Sequence, residues 1–371
     1  MYMDKCIKSK ILNKIFDNYN FSIKKGMIIA SPSIDPPYKF HWIRDAALVM
    51  RVIISEYTLK KQDRYLIAIL NYIENEYDIQ KLDTLTGLGE PKINIDCTPY
   101  NEPWGRPQND GPALRCINLM QIYQLIKNDY KNITESILVK MIEKNINYII
   151  KNINNISFDL WEEIKGWHFY TRLVQLKCIK DYISLKNEFD NYFTIDSDIN
   201  KIYNTFIENI KDHIDSNGGY ISSFDIDGNV IRKDDASIIL AFCHISFDKD
   251  ILSELPVENV LHNSNNLLHF FRDKYQRNDI NLIGRYQNDK YFDGQLWVLC
   301  SLALGQFFIY LKNNYHNKYS YLDKSIFDIY SQIVSIDENL NLPEQFDVNN
   351  QKFSAQKLTW NYSEFYFYLS F

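Results

Sequence analysis

Helical spacing constrains this chain more than any other feature. Apolar residues return every three to four positions, the pattern that lays one face of an α-helix on a core. Twelve runs show it: Lys8–Tyr19, Ala46–Thr58, Arg64–Tyr77, Pro112–Lys127, Thr134–Ile153, Trp167–Lys186, Ile199–Ile214, Ala236–Ile245, Val257–Tyr275, Gly294–Lys312, Asp323–Ile336 and Leu358–Phe371. These are helices of ordinary length. Short turns and long loops join them alternately, which predicts an all-α toroid of helix pairs with the long loops gathered at one end. One β-hairpin interrupts the pattern, GGYISSFDIDGNVIRK, turning at Asp227-Gly228. Other strand signals are few.

The long loops are the decorated parts. PSIDPPYKFHWIRD, GLGEPKINIDCTPYNEPWGRPQNDGP and LIGRYQNDKYFDG hold much of the Gly and Pro, with clustered Trp, Arg, Asp and Asn. Loops of that length and content carry function. No low-complexity linker and no short repeat divides the chain, so residues 1–371 read as a single domain.

Several function classes lack support. A net charge of −6 argues against a nucleic-acid footprint. The longest apolar stretch, Leu296 to Leu311, is interrupted by Gln306 and reads as a buried helix, not a membrane span. The N-terminus lacks the apolar core of a signal peptide, and Cys6, Cys97, Cys116, Cys178, Cys243 and Cys300 are scattered like free thiols, so the expectation is a cytoplasmic protein. The seven His fall in no HxxxH or HExxH spacing, and no GxGxxG, Walker A or GxSxG motif occurs. Neither a metal nor a cofactor is implied.

Chemistry concentrates in FDLWEE, Phe158 to Glu163, where two adjacent carboxylates follow Trp161 in an apolar context. The bland alternative is a helix N-terminus that favours acids. Cleavage of a glycosidic bond needs a carboxylic acid that can donate to the bridging oxygen, and one member of such a pair is a candidate. Glu344, in LPEQFD, alone reads as a loop carboxylate; it gains weight because hydrolysis of an acetal needs a second carboxylate to activate water. Arg44 and Asp45, beside Trp42 in FHWIRDAALV, offer donors and acceptors together, suited to vicinal hydroxyls, although Asp45 could simply open a helix. Trp104, Arg106, Asn109 and Asp110 in WGRPQNDGP read similarly, with Asp110 able to cap the next helix. Arg285, in GRYQND with Asp289, is equally a surface ion pair. The chain's 15% aromatic content suits a sugar groove, though most rings belong to a core.

With these residues in view, the chain resembles the glucoamylases, glycoside hydrolase family 15. The blocks ASPSIDPPYKFHWIRDAALV, GLGEPKINID with WGRPQNDGPALR, FDLWEE, GGYISSF with DDASIIL, IGRYQNDKYFDGQLWVLCSLA, and LPEQFD with SAQKLTWNYSE stand in the family's order from about Ile28 to Trp360. The resemblance implies an (α/α)6 barrel with the site in the loop funnel. It implies Glu162 as general acid, Glu344 as general base and Glu163 as a binder of substrate hydroxyls. Arg44 and Asp45 would clamp the terminal glucose, Arg285 would add a sugar contact, and Trp104 would be the platform beside the scissile bond. Tyr38 and Ser354 would position the base and its water, and Trp360 would wall the pocket.

The implied activity is exo-acting, inverting release of β-D-glucose from non-reducing ends of α-1,4-glucans, by a monomer. Alternatives are trehalose, isomaltose or dextran ends, phosphorolysis, or a non-catalytic glucan-binding barrel. With eleven residues after Trp360 and no linker, the expectation is a catalytic domain without a second, starch-binding domain. Asn288, where an acid is expected, and Gln295 and Leu296, where the family wording differs, would bear on the leaving-group side.

Overall fold

In a computed structural model, residues 2–189, 191–195 and 198–370 are described. Twelve long helices carry the fold: α1 (Tyr2–Tyr19), α2 (Ile43–Lys60), α3 (Asp63–Ile79), α4 (Asp110–Ile126), α5 (Val139–Lys151), α6 (Phe169–Glu188), α7 (Ile199–Lys211), α8 (Ala236–His244), α9 (Val257–Tyr275), α10 (Val298–Asn314), α11 (Asp323–Ser335) and α12 (Thr359–Tyr368). They form two concentric rings. The even-numbered helices pack each on the next, and α12 returns to α2, closing an inner ring of six. Each odd-numbered helix backs one of them, α1 on α12, α3 on α2, α5 on α4, α7 on α6, α9 on α8 and α11 on α10. The fold is an (α/α)6 barrel.

The two rings follow from the character of the helix faces. An inner helix touches neighbours on every side, and α8 is buried at every residue from Ala236 to His244. An outer helix needs one apolar stripe. Accordingly, α5 buries only Val139, Met141, Ile142, Asn145, Ile146 and Ile149, and α11 only Ile329 and Ile333. Each such aliphatic side chain contributes roughly 1.5–3 kcal/mol by leaving water.

The hairpin at Asp227-Gly228 is present, but it is part of a larger set of short strands. Among the described residues three small antiparallel sheets occur: β1 (Phe40–Trp42) with β2 (Lys92–Asn94), β3 (Ser157–Phe158) through β4 (Lys165–His168) and β5 (Ser223–Phe224) to β6 (Val230–Arg232), and β7 (Leu296–Trp297) with β8 (Pro343–Phe346) and β9 (Lys352–Gln356). Segments of two to five residues are too short to show a period-two pattern. For the same reason two helical runs begin later than their spacing predicts: Trp167 and His168 lie in β4, and Leu296 and Trp297 in β7. Thr134–Leu138 forms a π-helical turn ahead of α5.

These strands determine where the site lies. β1, β4 and β7 run directly into α2, α6 and α10. Asp110 opens α4, Asp235 caps α8 through the Ser237 amide, and Trp360 sits in the first turn of α12. The inner helices therefore present their N-termini, with their partial positive charge, toward the same loop-lined mouth. No described helix is long and apolar enough to cross a membrane.

Candidate active site

The mouth opens into a cavity of about 440 Å³. Glu162, Glu163, Glu344, Arg44, Asp45 and Arg285 all face it, with the rings of Tyr38, Trp42, Trp104, Trp161 and Trp360.

Glu162 and Glu163 sit on the turn between β3 and β4. Asp159 builds that turn: its Oδ1 accepts from the amides of Glu163 (2.8 Å) and Ile164 (2.9 Å), and its backbone carbonyl accepts from the Glu162 amide. Burial lifts Asp159 to about 6, with the amide bonds and Arg232 acting against that rise. Glu162 takes φ = +68°, the left-handed region that non-glycine residues avoid. Its carboxyl is surrounded by donors. Oε1 accepts from the Trp42 indole (2.7 Å) and Gln108 (2.9 Å), Oε2 from the Trp104 indole (2.8 Å), and the Arg44 guanidinium lies 3.7 Å away. Gly105 makes this approach possible, because a Cβ there would stand 2.7 Å from the Glu162 carbonyl oxygen.

Glu344 comes from β8 in different surroundings. Tyr38 donates to its Oε1 at 3.0 Å, and Ser354, from the adjacent β9, donates to Oε2. Tyr291 links the two hydroxyls, 3.2 Å from Tyr38 and 2.9 Å from Ser354. Burial raises the Glu344 carboxyl to about 7, with the Ser354 and Tyr38 hydroxyls pulling it down.

Arg44 ties the start of α2 to the start of α4. Its Nη1 donates to Gln108 at 2.8 Å and pairs with Asp110 at 3.3 Å, while Nη2 pairs with Asp45 at 3.3 Å. Burial would suppress its charge, but Asp110, Asp45 and Glu162 outweigh that and hold it above the usual arginine range. Asp45 lies in the first turn of α2 without capping it, and burial lifts it to about 6. On the other wall, Arg285 is fixed by a bidentate pair with Asp289 (2.8 and 2.6 Å) and reaches Glu163 at 2.7 Å. It is 3% exposed, which removes the surface-ion-pair reading. Trp161 and Trp360 are anchored by their indole N–H groups, to Asp235 (3.0 Å) and Glu364 (2.9 Å).

The structure separates the sequence candidates. Glu162, Glu163, Glu344, Tyr38, Trp42, Arg44, Asp45, Trp104, Trp161, Arg285 and Trp360 meet at one cavity. Ser354 and Asp289 stand behind it, on Glu344 and Arg285. Arg106 does not reach it: its guanidinium pairs with Glu90 at 2.8 Å and holds the carbonyls of Tyr100 and Glu102, bracing the Trp104 loop from behind. Asn288, Gln295 and Leu296 do not line the cavity either. Asn288 is exposed in a left-handed turn that suits asparagine, Gln295 accepts from Tyr275, and Leu296 is buried in β7. Asn109 accepts from Tyr148, and Asp110 serves Arg44 and the Gly111 amide.

Sequence reasoning missed Gln108, Tyr291, Trp297 and Arg232, which pairs with Asp159, Glu163 and Asp235. Gln108 and Tyr291 lie inside the decorated loops, Trp297 in the family block that follows and Arg232 in the hairpin, but nothing local distinguishes them from neighbouring polar and aromatic residues.

Comparison with known proteins gives the chain's lineage. The profile of the glycosyl hydrolases family 15 matches residues 10–366. Glucoamylase S1 of Saccharomyces cerevisiae is 30% identical over 341 residues, covering 80% of this chain and 44% of that protein. The intracellular sporulation-specific glucoamylase of the same species is 30% identical over 339 residues, 79% of this chain and 61% of that protein. The chain thus spans about half the length of such curated relatives. Among solved structures, the glucoamylase of Saccharomycopsis fibuligera superposes with a TM-score of 0.86 at 23% identity, covering 99% of this chain and 94% of that one. The family 15 glucoamylase of Hypocrea jecorina gives 0.84 at 24% identity, covering 96% and 70%. These likenesses show the barrel, and the profile match shows the lineage: the chain belongs to the glycosyl hydrolases family 15.

Proposed function

We propose that this chain is an exo-acting, inverting hydrolase that releases β-D-glucose from the non-reducing ends of α-1,4-linked glucans. The observation that carries the reading is the contrast between two carboxyls facing one cavity. Glu162 sits among indoles, Gln108 and Arg44, and Glu344 among hydroxyls. In this reading the terminal glucose lies against Arg44 and Asp45, with Trp360 as a wall and Glu163 and Arg285 on the far side. Glu162 gives its proton to the glycosidic oxygen as the C1–O bond breaks. A water held by Glu344 and its hydroxyl partners attacks C1 from the opposite face and yields its proton to Glu344. Two carboxyls acting across the sugar ring with water between them invert the anomeric carbon.

One chain completes the cavity, which suits a monomer, and the six unpaired cysteines suit a cytoplasmic setting. The test is the NMR anomeric signal of glucose freed from maltoheptaose. β-Glucose first supports the assignment, and α-glucose first ends it. Glu162→Gln and Glu344→Gln should each lower kcat by ~10²–10⁴ with unchanged circular dichroism. An active Glu344→Gln enzyme would remove the base from its role.

A further inference from the structure

Lys92 is an unusual neighbour for this site. It lies on β2 opposite Trp42 in the β1–β2 register and is 1% exposed. Its ammonium stands over four rings, 3.1 Å from the centroid of Trp104, 4.2 Å from Tyr100, 4.4 Å from Phe40 and 4.6 Å from Trp42. Among the described residues it has no hydrogen bond and no carboxylate at ion-pair distance. A buried, unpaired charge is costly, and methionine would fill the same space without that cost. Burial brings Lys92 down to about 8, Glu162 opposing the fall, Arg106 adding to it and Glu90 opposing it, so the amine keeps its proton below neutral pH. Two of the four rings are the ones that hold Glu162, through the Trp42 and Trp104 N–H groups on its two oxygens. A cation on the face of an indole is attracted to the π cloud, and it draws density from the ring, making the N–H a stronger donor.

We propose that Lys92 is a positioning residue for the acid step. Its ammonium holds Trp42 and Trp104 against the Glu162 carboxyl and stabilises the carboxylate left when the proton passes to the glycosidic oxygen. This rests on the reading of Glu162 as the acid.

The experiment compares maltoheptaose, whose leaving oxygen must be protonated, with α-glucosyl fluoride, whose fluoride leaves without that help. Lys92→Met and Lys92→Gln should lower kcat on maltoheptaose by about 10-fold or more, part of the ~10²–10⁴ that a general acid supplies, with little change in KM. On the fluoride the loss should be under about threefold by the same argument. Lys92→Arg, which keeps a cation over the rings, should restore most of the rate. Both substrates are read on one preparation, so partial unfolding cancels in their ratio.

Equal losses on the two substrates overturn the proposal, as does failure of both neutral variants to fold. Glu162→Gln separates the two levels. If it still cleaves maltoheptaose, the acid assignment fails. If it is silent there but active on the fluoride while Lys92→Met behaves as wild type, only the Lys92 proposal fails.

Discussion

Glu344 accepts from two hydroxyls and makes no ion pair among the described residues, so burial dominates and its carboxyl rises to about 7. As the proposed base it must be ionised, so activity should be lost as pH falls through that value. The ascending limb of kcat/KM should therefore lie close to neutral, higher than the acidic bell that paired carboxylates alone lead one to expect. Each hydroxyl stabilises the ionised form. Removing one by Ser354→Ala or Tyr38→Phe should push the limb further up, by about one pH unit if a charge-assisted hydrogen bond is worth ~1.5 kcal/mol. A pH profile of kcat/KM in which the limb stays put or moves down would contradict this. Two of the residues involved also carry backbone strain: Glu162 at φ +68° and Ser354 at φ +59°, each costing roughly 1–2 kcal/mol against a right-handed conformer. The motif names the residue types, but not the strained backbone that aims them, because such a conformer is imposed by packing around the chain.

Among the elements, the β3–β4 hairpin does the most for the site with the fewest residues. Its turn carries both glutamates, and β4 docks on β5 so closely that a Cβ on Gly166 would lie 2.1 Å from the Phe224 carbonyl oxygen. Backbone cannot yield as a side-chain tip can. Gly166→Ala should therefore cost roughly 2–3 kcal/mol and lower kcat as the turn shifts. A thermal melt matching wild type would show that β4 tolerates the methyl group. The helices, by contrast, were legible. Val257–Tyr275 has the bounds its spacing predicts, because nineteen residues give the 3.6 period room to declare itself. β3, β5 and β7 have two residues each and exist only because distant segments pair with them.

Across the whole molecule, acid stability depends on opposing groups. Burial pulls His168, His213 and His244 down to about 4, 3 and 4. Below pH 6.5 the unfolded chain takes protons that these refuse, so their contribution to stability is lost as pH falls. Asp45, Asp159 and Glu344, lifted by burial to about 6, 6 and 7, take protons in the fold before the unfolded chain does and offset that loss down to about pH 4.5. Below it Glu364 adds to the loss. Burial opposes its charge, but His244, Arg51 and Gln306 prevail and hold it at about 2. Its stabilisation is present above the unfolded value and goes as pH drops from about 4.5 toward 2. Melts across pH should show a shallow dependence from 6.5 to about 4.5 and a steep fall beneath. A steady decline starting at 6.5 would mean that the carboxylates do not compensate.

By itself the sequence determined the number and approximate positions of the long helices, the choice of loops that carry chemistry, and the residue types offered at the mouth. Periodicity, Gly/Pro punctuation and ordered motifs are local properties of a chain. Tertiary structure alone decided that Trp42, Gln108 and Trp104 would converge on Glu162, that Tyr291 would bridge Tyr38 and Ser354, and that Arg106 would brace a loop instead of lining the cavity. The Tyr38–Tyr291 contact, across 253 positions, depends on closing α12 onto α2. Closure brings residues hundreds of positions apart within hydrogen-bonding distance, and no local pattern records which of them will meet.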